Sequence, residues 1–257
     1  MSSTGSDLSV DIRDKVLRVR INRPEKRNAL SRTTLKEIGD VFNRHKSNDS
    51  ILVAVLTGAG DRSFAAGGDL KDLDSVRTRE LTVDMVNTGR TALDAIRNFC
   101  VPVIAAINGT ALGGGAELAM ACDYRVADET AKIGFVQGKL NITTAWGGGA
   151  DLMERIGSAP ALKLLAGCRI LDAKAALELG IIDACCDSGQ SLDDCVEDFV
   201  SPFLERSTTV MRGFKSLRNH ARNEFVQSLN ELETNNFIES WLHDEHWQSA
   251  GNILKKK

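Results

Sequence analysis

Two short stretches carry residue types able to do chemistry. Residues 64–70 read FAAGGDL and residues 112–118 read LGGGAEL. Gly67 and Gly68 in the first, and Gly113, Gly114 and Gly115 in the second, have no Cβ to keep a ligand away from their backbone N–H groups. N–H groups at a helix start are unsatisfied and electropositive. Two of them aimed at one point would hold a developing oxyanion, and losing one donor from such a hole costs roughly 3–4 kcal/mol of transition-state stabilisation. Glu117 follows the second glycine run. Taken alone it reads either as a first-turn carboxylate meeting the helix dipole or as a group that moves protons. Asp69 is expected to cap the helix that follows it. Each stretch by itself is equally readable as a tight strand-to-helix turn, because a single glycine motif is a weak signal.

The elements that must position these residues are legible as periodicity. VLRVRIN (16–22) alternates apolar and charged residues, the period of a half-exposed strand. ILVAVLTG (51–58) and VPVIAAING (101–109) are unbroken apolar runs, as expected of buried parallel strands. Helices are predicted over 31–48, starting at a Ser cap, and over about 79–98 and 117–123, with a strand over 124–129. This alternation implies right-handed crossovers over a parallel sheet, with ligands at the strand ends. Beyond about residue 150 helices dominate, interrupted by one short strand in GIIDACCD (180–187). A boundary is expected near residue 190, with a core over 1–190 and a helical region over 191–257.

Composition narrows the function classes. A net charge of −3 with pI about 5.9 gives no broad basic face, so nucleic acid is not expected as a partner. Lys255, Lys256 and Lys257 read as a solvated tail. Six cysteines form no CxxC pair and read as small apolar residues of a reducing compartment. The first ten residues have no secretion-signal pattern, and no run of about 18 apolar residues suggests a membrane span. The expectation is a cytoplasmic chain. Four scattered histidines give no metal-ligand spacing, and His246 and Trp247 read as packing or contacts between copies.

The ordered combination NRPEKRNAL, FAAGGDLKDL, VPVIAAINGTALGGGAELAMACD and GCRILDAKAALELGIID resembles the enoyl-CoA hydratase/isomerase, or crotonase, superfamily over most of residues 10–190. The resemblance implies an α/β fold, a crotonase-like spiral of repeated ββα units with a C-terminal helical trimerisation region. It implies trimers that often pair into hexamers, and an acyl-CoA thioester substrate whose coenzyme A is no separate cofactor. Carried over residue by residue, the oxyanion donors fall on Gly68 and Gly114, the first acid/base glutamate on Glu117, and coenzyme A contacts on Lys26, Ala29 and Ala66. The place of the family's second glutamate, counted back from the downstream glycines, is held by Gln137. An amide transfers no proton usefully. That departure favours chemistry with one acid/base group. Decarboxylation of a malonyl-type thioester fits best, since loss of CO2 forms the enolate directly. FVQGKLNITTAWGGG also resembles the ethylmalonyl-CoA decarboxylase branch through Phe135, Val136, Gln137, Trp146, Gly147 and Gly148, although Thr144 stands where that branch has proline. Trp146 reads as an acyl-pocket wall or as a core aromatic. Isomerisation or hydration by Glu117 alone, and a non-catalytic coenzyme A-binding protein, are the alternatives.

Overall fold

The strands come in consecutive pairs that separate into two sheets. The structure is a computed structural model that describes residues 6–254, with side chains through Asn252. The Lys255–Lys257 tail lies outside the described residues. In chain order the strands are β1 (Leu8–Arg13), β2 (Val16–Ile21), β3 (Val53–Gly58), β4 (Ser63–Ala65), β5 (Val103–Ile107), β6 (Thr110–Leu112), β7 (Tyr124–Ala127), β8 (Lys132–Gly134), β9 (Ile170–Asp172) and β10 (Ala184–Cys185). The helices are α1 (Arg32–His45), α2 (Leu70–Leu73), α3 (Arg79–Arg97), α4 (Gly114–Ala121), α5 (Gly148–Ile156), α6 (Ser158–Gly167), α7 (Ala173–Glu178), α8 (Leu192–Leu204), α9 (Thr208–Leu242) and α10 (Asp244–Leu254).

The larger sheet has the order β1-β2-β3-β5-β7-β10 and the smaller one β4-β6-β8-β9. The pairs β3–β4, β5–β6 and β7–β8 each send their first strand to the large sheet and their second to the small one. Repetition of that unit is the spiral. β3 and β5 run parallel and are buried almost throughout, which their Val/Ile/Leu/Ala content allows. Ser31 caps α1 and Thr78 caps α3, each accepting a hydrogen bond from a backbone N–H three residues on.

The sequence reading has the first glycine loop follow a buried strand and a connecting loop, and the second follow a buried strand. In the structure a three-residue strand intervenes each time, β4 before the first loop and β6 before the second. Three residues are too few to show a period. Helix α4 also starts at Gly114, three residues before its expected start, so the glycines are its first turn rather than a loop ahead of it. β1 was not anticipated; it pairs antiparallel with β2 at the sheet edge.

Helix α9 is held by charge. Its Lys215 meets both carboxylate oxygens of Asp123 at 2.6 and 2.5 Å, and Arg222 Nε meets Asp151 Oδ1 at 2.8 Å. Asp151 is shared: Arg97 of α3 reaches its other oxygen from Nε at 3.0 Å and Nη2 at 2.7 Å. Burial of Arg97 opposes its charge, and Asp151 and Asp94 more than offset that, so its pKa is raised. Removing one member of a buried ion network strands the remaining charge. Arg97→Met is therefore expected to lower the unfolding free energy by about 3–5 kcal/mol, read from urea denaturation.

Candidate active site

Three adjacent parallel strands of the small sheet aim their C-terminal ends at one cavity. β4 pairs with β6 and β6 with β8. Just past their ends stand Gly68, Gly114 and Gln137, and all three line a cavity of about 140 Å³ together with Ala66, Glu117 and Trp146. Convergence of the two glycine loops therefore follows from strand adjacency. Gly113 turns the chain into α4 with φ of +55°, a conformation that suits glycine. Gly115 packs its Cα against the Ala65 carbonyl so closely that a Cβ would overlap it, which brings α4 down onto β4.

The Gly113 amide donates to the Gly134 carbonyl, whereas those of Gly68 and Gly114 make no backbone hydrogen bond among the described residues. Gly114 is the first residue of α4, so its N–H has no acceptor within the helix. Gly67 accepts from Leu30 N at 2.8 Å and Asp69 N donates to Leu30 O at 2.9 Å, clamping the peptide bonds on both sides of Gly68. Asp69 accepts from Lys71 N at 3.3 Å as the cap of α2 and also pairs with Arg23 at 2.9 Å. Burial works against the Asp69 charge, and Arg23 more than offsets it, so its pKa is lowered.

Glu117 is 2% exposed and does not cap its own helix. Its Oε2 accepts from Trp146 N at 2.8 Å and Gly148 N at 3.1 Å, and its Oε1 accepts from Gln137 Nε2 at 2.9 Å. Burial, joined by the negative charge of Glu233, pushes its pKa up to about 7 against the pull of those donors. Among the described residues it is the one titratable side chain on the cavity wall, the rest of which is mostly apolar: Leu70, Leu73, Met85, Leu140, Ile142, Phe237 and Trp241.

Lys26 and Ala29 do not line the cavity. Lys26 is half exposed, with Nζ 3.9 Å from Asp69 Oδ2. Their segment nonetheless lies against the first glycine loop, since Ala66 N donates to Arg27 O at 3.1 Å. His246 is buried between Trp241 and Trp247, with ring centroids 4.3 and 4.6 Å away, which is packing. No group of three His, Cys, Asp or Glu side chains among the described residues is arranged to hold a metal.

Sequence reasoning missed Glu233. Its Oε1 accepts from Gly149 N at 2.9 Å and from the Thr144 hydroxyl, and its Oε2 lies 3.3 Å from Arg90 Nη2. Glu233 and Glu117 thus hold the two sides of one loop, residues 144–149. Nothing local in NELETNN signals this role, because the partners lie more than eighty positions upstream.

A profile of the enoyl-CoA hydratase/isomerase family matches residues 11–253. A crotonyl-CoA hydratase from Syntrophomonas wolfei is 30% identical over 247 residues, covering 95% of this chain and 93% of that protein. A short-chain-enoyl-CoA hydratase from Clostridium acetobutylicum is 34% identical over 186 residues, covering 71% and 70%. A crystal structure of an enoyl-CoA hydratase/isomerase from Mycobacterium paratuberculosis superposes with a TM-score of 0.88 at 21% identity over 98% of this chain and 100% of that one, a likeness of fold.

Because the folded pKa of Glu117 lies above its ordinary 4.5, the group stabilises the fold below that value and loses the contribution as pH rises through about 7. Carbon-13 NMR of the labelled glutamates is expected to show a carboxyl titrating near 7. Glu233→Gln, which removes the neighbouring charge and keeps an acceptor for Gly149 N, should move that midpoint down.

Proposed function

The chain belongs to the enoyl-CoA hydratase/isomerase family, and we propose that within it this protein hydrates an enoyl-CoA thioester, using Glu117 as its single proton carrier. The reading rests on one observation. Gln137 donates to Glu117 Oε1, while its own Oε1 is buried on the cavity wall with no partner among the described residues. An acceptor and a carboxylate side by side can hold one water molecule by both of its hydrogens. The thioester oxygen takes the N–H groups of Gly68 and Gly114. Glu117 removes a proton from the water as its oxygen bonds to Cβ of the enoyl group, and the electron pair moves to the thioester oxygen as an enolate. The protonated Glu117 then gives that proton to Cα, so water is added in full and Glu117 returns to its starting state. A pKa near 7 suits a group that is base and acid in turn. Coenzyme A enters as part of the substrate, with Lys26, Ala29 and Ala66 at its approach to the first glycine loop.

The relatives named above are hydratases, and their names lend no support to the decarboxylation expected from the sequence. One feature keeps decarboxylation as a second reading: an apolar wall with a single acid disfavours a substrate carboxylate and requires only one final protonation. Loss of CO2 from a methylmalonyl- or ethylmalonyl-CoA would form the enolate of a saturated acyl thioester at the same two N–H groups.

The outer face of α9 supports assembly. Val210, Phe214, Leu217, Phe225 and Leu232 recur at helical spacing and are exposed, Leu217 by 69%. We read this stripe as the contact between copies in a trimer or a pair of trimers. Light scattering is expected to give three or six copies, and Phe214→Glu with Leu217→Glu to give one.

With crotonyl-CoA the enoyl absorbance should bleach, and Glu117→Gln should reduce kcat roughly 10²–10⁴-fold. The rate should fall as pH drops through about 7, because Glu117 must be ionised to take the proton from water. CO2 release from the malonyl-type thioesters without bleaching would replace hydration by decarboxylation. Movement of the double bond would indicate isomerisation, and binding of coenzyme A thioesters with no turnover a binding protein.

A further inference from the structure

Trp146 stands in an unusual slot. Its indole lies between two helix backbones, and both meet it with glycine. A Cβ at Gly89 of α3 would stand 2.5 Å from the indole Cδ1 and Cε2, and one at Gly114 of α4 would stand 2.9 Å from Cη2 and closer still to Cζ3. Ordinary carbon contacts are about 3.5–4.0 Å, so any side chain at either position would evict the ring. Its main chain is fixed as well. The N–H donates to Glu117 Oε2 at 2.8 Å, and the carbonyl accepts from the buried Arg97 Nη2 at 2.6 Å. The indole N–H is itself buried with no partner among the described residues. Leaving such a donor unpaired is unfavourable, and a phenyl or alkyl side chain would avoid that. The bulk of the indole is thus held in place at a cost in stability, on the wall of the cavity beside the Gly114 amide.

We infer that Trp146 sets the upper length of the acyl group, and that this protein selects short acyl chains. The inference rests on the acyl-CoA reading above and deepens it. The cavity of about 140 Å³ is close to the roughly 150 Å³ apolar cavity that accepts a benzene ring, which corresponds to an acyl tail of about four to six carbons. The ring forms part of the wall of that space and cannot swing aside, because Gly89 and Gly114 contact opposite edges of it. Met85, Phe237 and Trp241 also line the wall, and none of them has its main chain bonded to the proton-carrying glutamate. Length selection and proton transfer therefore meet in one residue, through its side chain and its amide respectively.

The test compares wild type with Trp146→Leu on trans-2-enoyl-CoAs of four, six, eight and twelve carbons, with Trp146→Phe as a milder variant. Binding of butyryl- and octanoyl-CoA by calorimetry is measured in parallel. Wild type is expected to prefer four to six carbons. One methylene in an apolar pocket is worth roughly 10–200-fold, so the ratio of kcat/KM for eight carbons to that for four should rise at least about tenfold in Trp146→Leu, with octanoyl-CoA affinity rising in step. If no enoyl-CoA turns over but the affinities exchange order, the length limit stands and hydration falls. If wild type turns over eight- and twelve-carbon substrates as well as four-carbon ones, the length limit is overturned. The same holds if neither folded variant changes the ratio.

Discussion

A carboxylate removed from water must be met by donors, and Glu117 takes most of its donors from the main chain. The amides of Trp146 and Gly148 point at one of its oxygens, and the Gln137 side chain at the other. For this to happen the 144–149 loop must be rigid, and much of the surrounding structure serves that rigidity. Arg97 binds the Trp146 carbonyl on the far side of the loop and shares Asp151 with Arg222. Glu233 takes the Gly149 amide and is itself met by Arg90. Two helices distant in sequence, α3 and α9, are thereby joined through the segment that orients the acid.

The contrast with the free amides of Gly68 and Gly114 is one of economy. Gly68 and Gly114 need no network of side chains, because neighbouring strands of the small sheet already deliver their loops to one place. A third strand delivers Gln137 by the same device. Sheet pairing thus fixes the donor positions, and buried ion pairs fix the acid.

Much of the site could be read from the chain because its parts are local. FAAGGDL and LGGGAEL each hold their glycines within a few residues, and the family resemblance, counted back from the glycines at 147–149, put Gln137 at the place of a partner to Glu117, which it contacts. The buried strands β3 and β5 and the capped helices α1 and α3 were equally legible, since each repeats its period over several turns or residues. What escaped was either too short or too distant. β4, β6 and β8 have three residues each, below the length at which alternation means anything. Glu233, Arg97 and Asp151 look like ordinary helix-surface charges in sequence, and only the crossing of α9 over α3 and α5 buries them. Helix α9 buries Lys215 and Arg222 beside Met211 and Val226 and leaves Phe214 and Leu217 exposed, so its apolar residues are divided between two faces.

At 35 residues α9 is a rod about 50 Å long, and it carries unlike duties along its length. Its first half is a strut tied to the large sheet through Asp123, and its last turns supply Phe237 and Trp241 to the cavity. Part of the cavity wall is therefore carried by the far end of α9, on a stretch of chain separate from the two glycine loops. Such an arrangement lets that part of the wall diversify by substitution at the end of the rod while the glycine loops stay untouched. It is a structural reason why one scaffold can serve many acyl groups without reinventing its chemistry.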